Sequence, residues 1–144
     1  MTRLQHRQIE LVHQFEKIEN WEDRYKKIIE MGKSLPQFSD EKKQDNVLVK
    51  GCQSKVWMYA HLNSDGELEF EVDSDALIVR GLLSVIMSVY SPARIDEILS
   101  HPPDFIKQLG FDSHLTPSRA NGVIAVVKQI IFYATAFKVK LSQS

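Results

Sequence analysis

Few residues in this chain have chemistry to offer. Among its 144 residues there is one cysteine, Cys52, in the string Gly51-Cys52-Gln53-Ser54 just ahead of Lys55-Val56-Trp57-Met58-Tyr59. One thiol closes no internal disulfide and supplies too few sulfurs for a cysteine-based zinc or iron–sulfur site. As a thiolate it attacks soft electrophiles such as sulfur. Gly51 removes bulk beside it and permits unusual backbone angles, so a reactant can approach. A loop entering a strand also carries a reactive group on a rigid base. A free cysteine is equally a small buried hydrophobe, and position alone leaves both readings open.

The other polar candidates are weaker. His61 alternates with apolar neighbours and reads as a packed or edge histidine, and neither His61 nor His114 belongs to a metal-binding spacing. Gly51, Gly66, Gly81, Gly110 and Gly122 never assemble a phosphate loop. Trp57, Tyr59, Phe132 and Tyr133 sit at periodic positions expected of core. Asp73-Ser74-Asp75 reads as an N-cap cluster. Arg119 falls in the first turn of a predicted helix, where a cation opposes the helix dipole. It therefore calls for an acidic or anionic partner, the alternative being a solvated arginine.

Length and composition describe the background. The chain reads as one domain spanning 1–144 with a real core; at 43% hydrophobic and 26% charged it is an ordinary globular composition. A formal net charge of −1 gives no basic field for nucleic acid. The polar Met1–Gln8 segment lacks a signal-peptide core, and Ala76–Tyr90, the longest nearly apolar run, is too short to span a bilayer. With a lone thiol, the expectation is a reducing cytoplasm.

The elements that must position Cys52 follow from periodicity. Asn20 caps a helix carrying Trp21, Tyr25, Ile28 and Ile29, with Gly32 as its stop and Pro36 beyond. Val56–Leu62 and Leu68–Val72 alternate around Asn63-Ser64-Asp65-Gly66 as a hairpin, and Val47-Leu48-Val49 adds a short third strand. An apolar helix over Ala76–Tyr90 follows, then short helical pieces at Asp96–Leu99 and Asp104–Leu109. Thr116-Pro117 opens a last helix with Val123, Val127, Ile130, Ala134 and Phe137 on one stripe. The fold class is α+β: a small antiparallel sheet of about three strands with helices packed on one face.

Four segments taken together carry a resemblance: Trp21-Glu22-Asp23-Arg24-Tyr25 through Gly32-Lys33-Ser34-Leu35-Pro36; Val49-Lys50-Gly51-Cys52-Gln53-Ser54-Lys55-Val56-Trp57; Asp73-Ser74-Asp75 through Leu83; and His114-Leu115-Thr116-Pro117-Ser118-Arg119. From about residue 14 to 138 the chain resembles the SufE family of cysteine desulfuration proteins. The resemblance implies a fold like the IscU-type iron–sulfur scaffolds, with Cys52 as acceptor of persulfide sulfur from a PLP-dependent cysteine desulfurase of Suf or Csd type. It implies stimulation of that desulfurase and delivery of sulfur to a downstream iron–sulfur scaffold. Gly51, Gln53 and Ser54 belong to the cysteine loop, and Asp75 and Arg119 match positions linked to that loop and to partner docking. No cofactor, metal, nucleic acid or membrane is expected for this chain itself, and a homodimer is left open. Lys50, Lys55 and Arg119 are the cations available to favour the thiolate.

Such a protein is an accessory in sulfur transfer rather than a stand-alone enzyme. Three other readings compete: a one-cysteine thiol redox protein, a desulfurase-binding adaptor with an inert cysteine, and a cluster scaffold, which one cysteine disfavours.

Overall fold

The computed structural model describes residues 1–143 and contains seven α-helices and one antiparallel pair of strands. In chain order these are α1 (Arg3–Glu16), α2 (Trp21–Gly32), β1 (Val56–Leu62), β2 (Leu68–Ser74), α3 (Leu77–Tyr90), α4 (Ile95–Ser100), α5 (Asp104–Gln108), α6 (Phe111–His114) and α7 (Pro117–Ser142). Asn20 caps α2 through its side chain, which accepts from the Asp23 amide, and Thr116 caps α7 with Pro117 in the first turn. The α+β class is the one read from the sequence.

Register explains the hairpin's two faces. Met58 pairs with Val72 and Ala60 with Phe70, and these residues share the face turned to the helices. Trp57 pairs with Asp73 and Tyr59 with Glu71 on the other face. That outer face is not bare. The segment between α2 and β1 crosses it, putting Phe38 against the Tyr59 ring and the Lys43 ammonium over Trp57. This is why β1 carries large side chains on both sides.

The expected third strand is a single bridge, Leu48 to Trp57, with the Val49 amide donating to the Val56 carbonyl at 2.8 Å. A 3₁₀ turn over Asp45–Val47 takes the first residue of the run, and Gly51 at φ +93° turns the chain away after it. Two residues are too few to build a ladder.

Helix α3 runs through the centre, with Leu83, Val85, Ile86, Val89 and Tyr90 all buried. It crosses α2 at closest backbone contact: a Cβ on Gly81 would lie 2.3 Å from the Ile28 carbonyl oxygen, and one on Gly32 would lie 2.6 Å from the Gly81 nitrogen. Gly32 is therefore the last residue of α2, with Lys33 as C-cap in right-handed geometry. It permits a helix crossing and does not serve as a left-handed stop.

A buried ion pair locks the same corner. Arg80 binds the Asp73 carboxylate and donates to the carbonyls of Leu35 at 2.6 Å and Gly32 at 3.2 Å. The other Asp73 oxygen accepts the Phe38 amide at 2.8 Å. Desolvated charges persist only when so fully hydrogen-bonded. Helix α7 is long and apolar enough, by length and composition, to cross a membrane; its Val123, Val126, Val127, Ile130 and Ala134 are buried in the core. Phe132, expected in the core, is instead 62% exposed.

Candidate functional site

The cysteine loop lies between the entry to β1 and the start of α7. Gly51 turns it, and no side chain is easily added there: besides the positive φ, a Cβ would lie 3.3 Å from that of Ala125. Cys52 then points inward, half-buried, with its Sγ 3.8 Å from the Gly122 carbonyl oxygen, a long thiol hydrogen bond. Gly122 faces the sulfur without a side chain, and a Cβ there would sit 3.9 Å from Sγ. The Gln53 side-chain oxygen accepts the Ser118 hydroxyl at 2.9 Å, tying the loop to the first turn of α7.

The loop's exit is clasped from β2. Lys55 donates its amide to the Asp75 carboxylate at 3.1 Å, and its carbonyl accepts the Ser74 hydroxyl at 2.7 Å. The N-cap reading of Asp73-Ser74-Asp75 is thereby corrected. Helix α3 begins one residue later than expected, with Ala76 at its cap and no side-chain cap bond. Asp73 and Ser74 close strand β2. Asp73 is drawn to Arg80 and Phe38, and Ser74 and Asp75 to Lys55, because an arginine and the backbone of neighbouring loops outcompete a helix start three residues on.

Beneath Cys52 is a cavity of about 260 Å³. Val56 of β1, Ile78, Leu82 and Ile86 of α3, and Val123 and Val126 of α7 form much of its wall, with Gln53, Ser54 and Arg119 on its polar side. Cys52, Gln53, Ser54 and Arg119 thus share one cavity; Gly51 is next to it, and Asp75 stands behind the loop at Lys55.

Burial, the one resolved cause, pushes the Cys52 thiol above its ordinary range. The cations expected to favour the thiolate do not outweigh burial in this geometry. Lys50 and Lys55 lie off the cavity, and Arg119 lines it. No acidic side chain answers the Arg119 guanidinium among the described residues, so the protein partner expected for it is not there. Burial thus favours the protonated form of the tucked thiol over the thiolate. Among the described residues no three His, Cys, Asp or Glu side chains converge to hold a metal ion.

Two of the four resembling segments meet at the turn that leads into α7. The Trp21 and His114 rings stack at 4.5 Å, 10° from parallel, and the Tyr25 hydroxyl donates to the His114 carbonyl. Helix α2 thereby braces the turn from which α7, Ser118 and Arg119 project.

The model for the SufE Fe-S metabolism associated domain matches residues 9–134. The chain belongs to the SufE family. Among curated SufE relatives, an uncharacterized SufE-like protein of Rhizobium etli is 37% identical over 125 residues, 84% of each chain. Another from Rhizobium meliloti is 36% identical, covering 84% of this chain and 89% of its own. Of solved structures, that of a hypothetical protein from Thermus thermophilus superposes with a TM-score of 0.74 at 17% identity, covering 90% of this chain and 94% of that one. At that identity the likeness concerns the fold, and it supports the α+β class. Family membership associates this SufE protein with iron–sulfur metabolism.

Sequence reading missed the scaffold half of the site. Gly122, Ser118 and the apolar face of α3 were read but not assigned to the site, although a glycine near the start of a long apolar helix is a signal, since glycine costs about 1 kcal/mol there.

Proposed function

We propose that this SufE protein is a sulfur carrier: Cys52 accepts sulfane sulfur from the persulfide of a PLP-dependent cysteine desulfurase of SufS or Csd type, stimulates that enzyme, and delivers the sulfur to iron–sulfur cluster assembly. The observation that carries the reading is the sole cysteine of the chain, set on a glycine-turned loop and held over a cavity by a few replaceable hydrogen bonds.

The transfer is a thiol–disulfide-type exchange. The Cys52 thiolate attacks the outer sulfur of the donor persulfide, a Cys52–sulfur bond forms, and the donor's S–S bond breaks. The donor leaves as a thiolate, which takes up the proton that Cys52 lost; the product is a Cys52 persulfide with no net oxidation. A tucked thiol raised by burial reacts poorly, so transfer requires the loop to leave its seat on docking. In the resting protein the same tuck keeps stray electrophiles and thiols away from the sulfur. Asp75 and Ser74 hold the loop's exit, Gln53 and Ser118 its far side, and Arg119 is a docking cation.

The test is mass spectrometry after incubation with a cysteine desulfurase and cysteine. A gain of about 32 Da, one sulfur, is expected on the wild type and none on Cys52→Ser. Normal stimulation of the desulfurase by folded Cys52→Ser would turn the assignment into that of an adaptor.

A further inference from the structure

The cavity under Cys52 is larger than the thiol needs. At about 260 Å³ with Cys52 already in place, it exceeds the ~150 Å³ aliphatic cavity that stays dry and takes up benzene. It lies below the roughly 300–1,000 Å³ of drug-sized sites. One side of it is walled by branched aliphatic side chains of β1, α3 and α7, the other carries Gln53, Ser54, Thr116 and Ser118, and Arg119 is the one charged residue among those that line it. An exposed guanidinium with no acidic partner among the described residues, set against an apolar chamber, matches a ligand with one negative charge and a hydrocarbon body.

We infer that this cavity is a binding site for a small monocarboxylate with an apolar body, its carboxylate on Arg119 and its body among the side chains of α3 and α7. Such a ligand touches both the scaffold and the loop residues Gln53 and Ser54, so it favours the tucked conformation over the released one. Bound ligand therefore slows reaction at Cys52. A cation is repelled by Arg119, and a polyanion would bring more charge than the single lining guanidinium can pair.

Calorimetric titration of the full chain with hexanoate, hexanol and acetate tests this, alongside the rate of Cys52 alkylation by iodoacetamide. Hexanoate is expected to bind saturably at one site, at least roughly tenfold tighter than hexanol, which lacks the charge, or acetate, which lacks the body. Arg119→Gln should erase the preference for hexanoate over hexanol, Cys52→Ser should keep it, and saturating hexanoate should slow alkylation of the wild type. No saturable hexanoate binding, equal affinity for hexanol, indifference to Arg119→Gln, or unchanged or faster alkylation at saturation would each overturn the inference. Sulfur transfer enters none of these readouts. The sulfur-carrier reading stands or falls separately, on persulfide formation.

Discussion

Removing the Asp75 carboxylate probes whether Cys52 is held by its loop's exit or by the bulk of the protein. In Asp75→Ala the Lys55 amide loses its 3.1 Å acceptor, while the Ser74 hydroxyl still binds the Lys55 carbonyl at 2.7 Å. Asp75 is exposed, so water replaces the lost acceptor in the released loop and partly in the closed one. One net hydrogen bond is worth about 1 kcal/mol. At about 1.4 kcal/mol per factor of ten, the population of released loop rises about fivefold. If reclosure is faster than alkylation, the iodoacetamide rate at Cys52 rises by the same factor. Adding Ser74→Ala extends the rise to at most about twenty-five-fold, less if the neighbours couple. The control is the urea midpoint: Asp75→Ala should barely move it, because the residue lies outside the core. An unchanged alkylation rate, or an increase matched by an equal loss of global stability, would show that the clasp does not hold the loop.

The remaining predictions concern the scaffold and the thiol. Gly81→Ala gains helix propensity but drives a Cβ to within 2.3 Å of the Ile28 carbonyl oxygen; forcing α2 off α3 should leave a net loss of about 1–3 kcal/mol in urea unfolding. Arg80→Ala strands the buried Asp73 carboxylate and should cost about 3–5 kcal/mol by the same measurement; a loss under about 1 kcal/mol would mean that water or another cation takes the guanidinium's place. Because burial raises the folded thiol's pKa, its contribution to loop closure is complete below the ordinary thiol pKa of about 8.5 and fades as pH rises through the higher folded value. The pH profile of Cys52 alkylation in the native chain should therefore lie to the alkaline side of that in urea, and coincident profiles would contradict the buried seat.

What could be read from the sequence was what depends on neighbours along the chain. Alternation gave the hairpin its span, Asn20 and Thr116 marked their helix starts, and Gly51-Cys52 stood out by residue type. What escaped depends on distant partners. Asp73 looks like a cap until Arg80 is brought beside it, and Asp75, tied to the cysteine loop only through the resemblance, shows its Lys55 contact only in the fold. Gly32 looks like a stop until Gly81 is seen against it. The four residues of α6 are too few to show a period, and Gly122 acquires a role only because the cysteine loop folds onto α7. Phe132 shows the reverse error, a periodic aromatic that the packing left outside.

The clasp at Lys55 also bears on how tightly a partner can hold this protein. A partner that takes Cys52 only from the released loop binds a minor form, and its apparent affinity is its intrinsic affinity reduced by the released fraction. Whatever Asp75, Ser74 and Ser118 add to the protection of the sulfur is subtracted from docking strength. Asp75→Ala should accordingly bind such a partner more tightly than the parent does, while losing sulfur faster to free thiols. Selectivity for the right acceptor and grip on the donor are set in opposition by the same hydrogen bonds that tie Asp75, Ser74 and Ser118 to the cysteine loop.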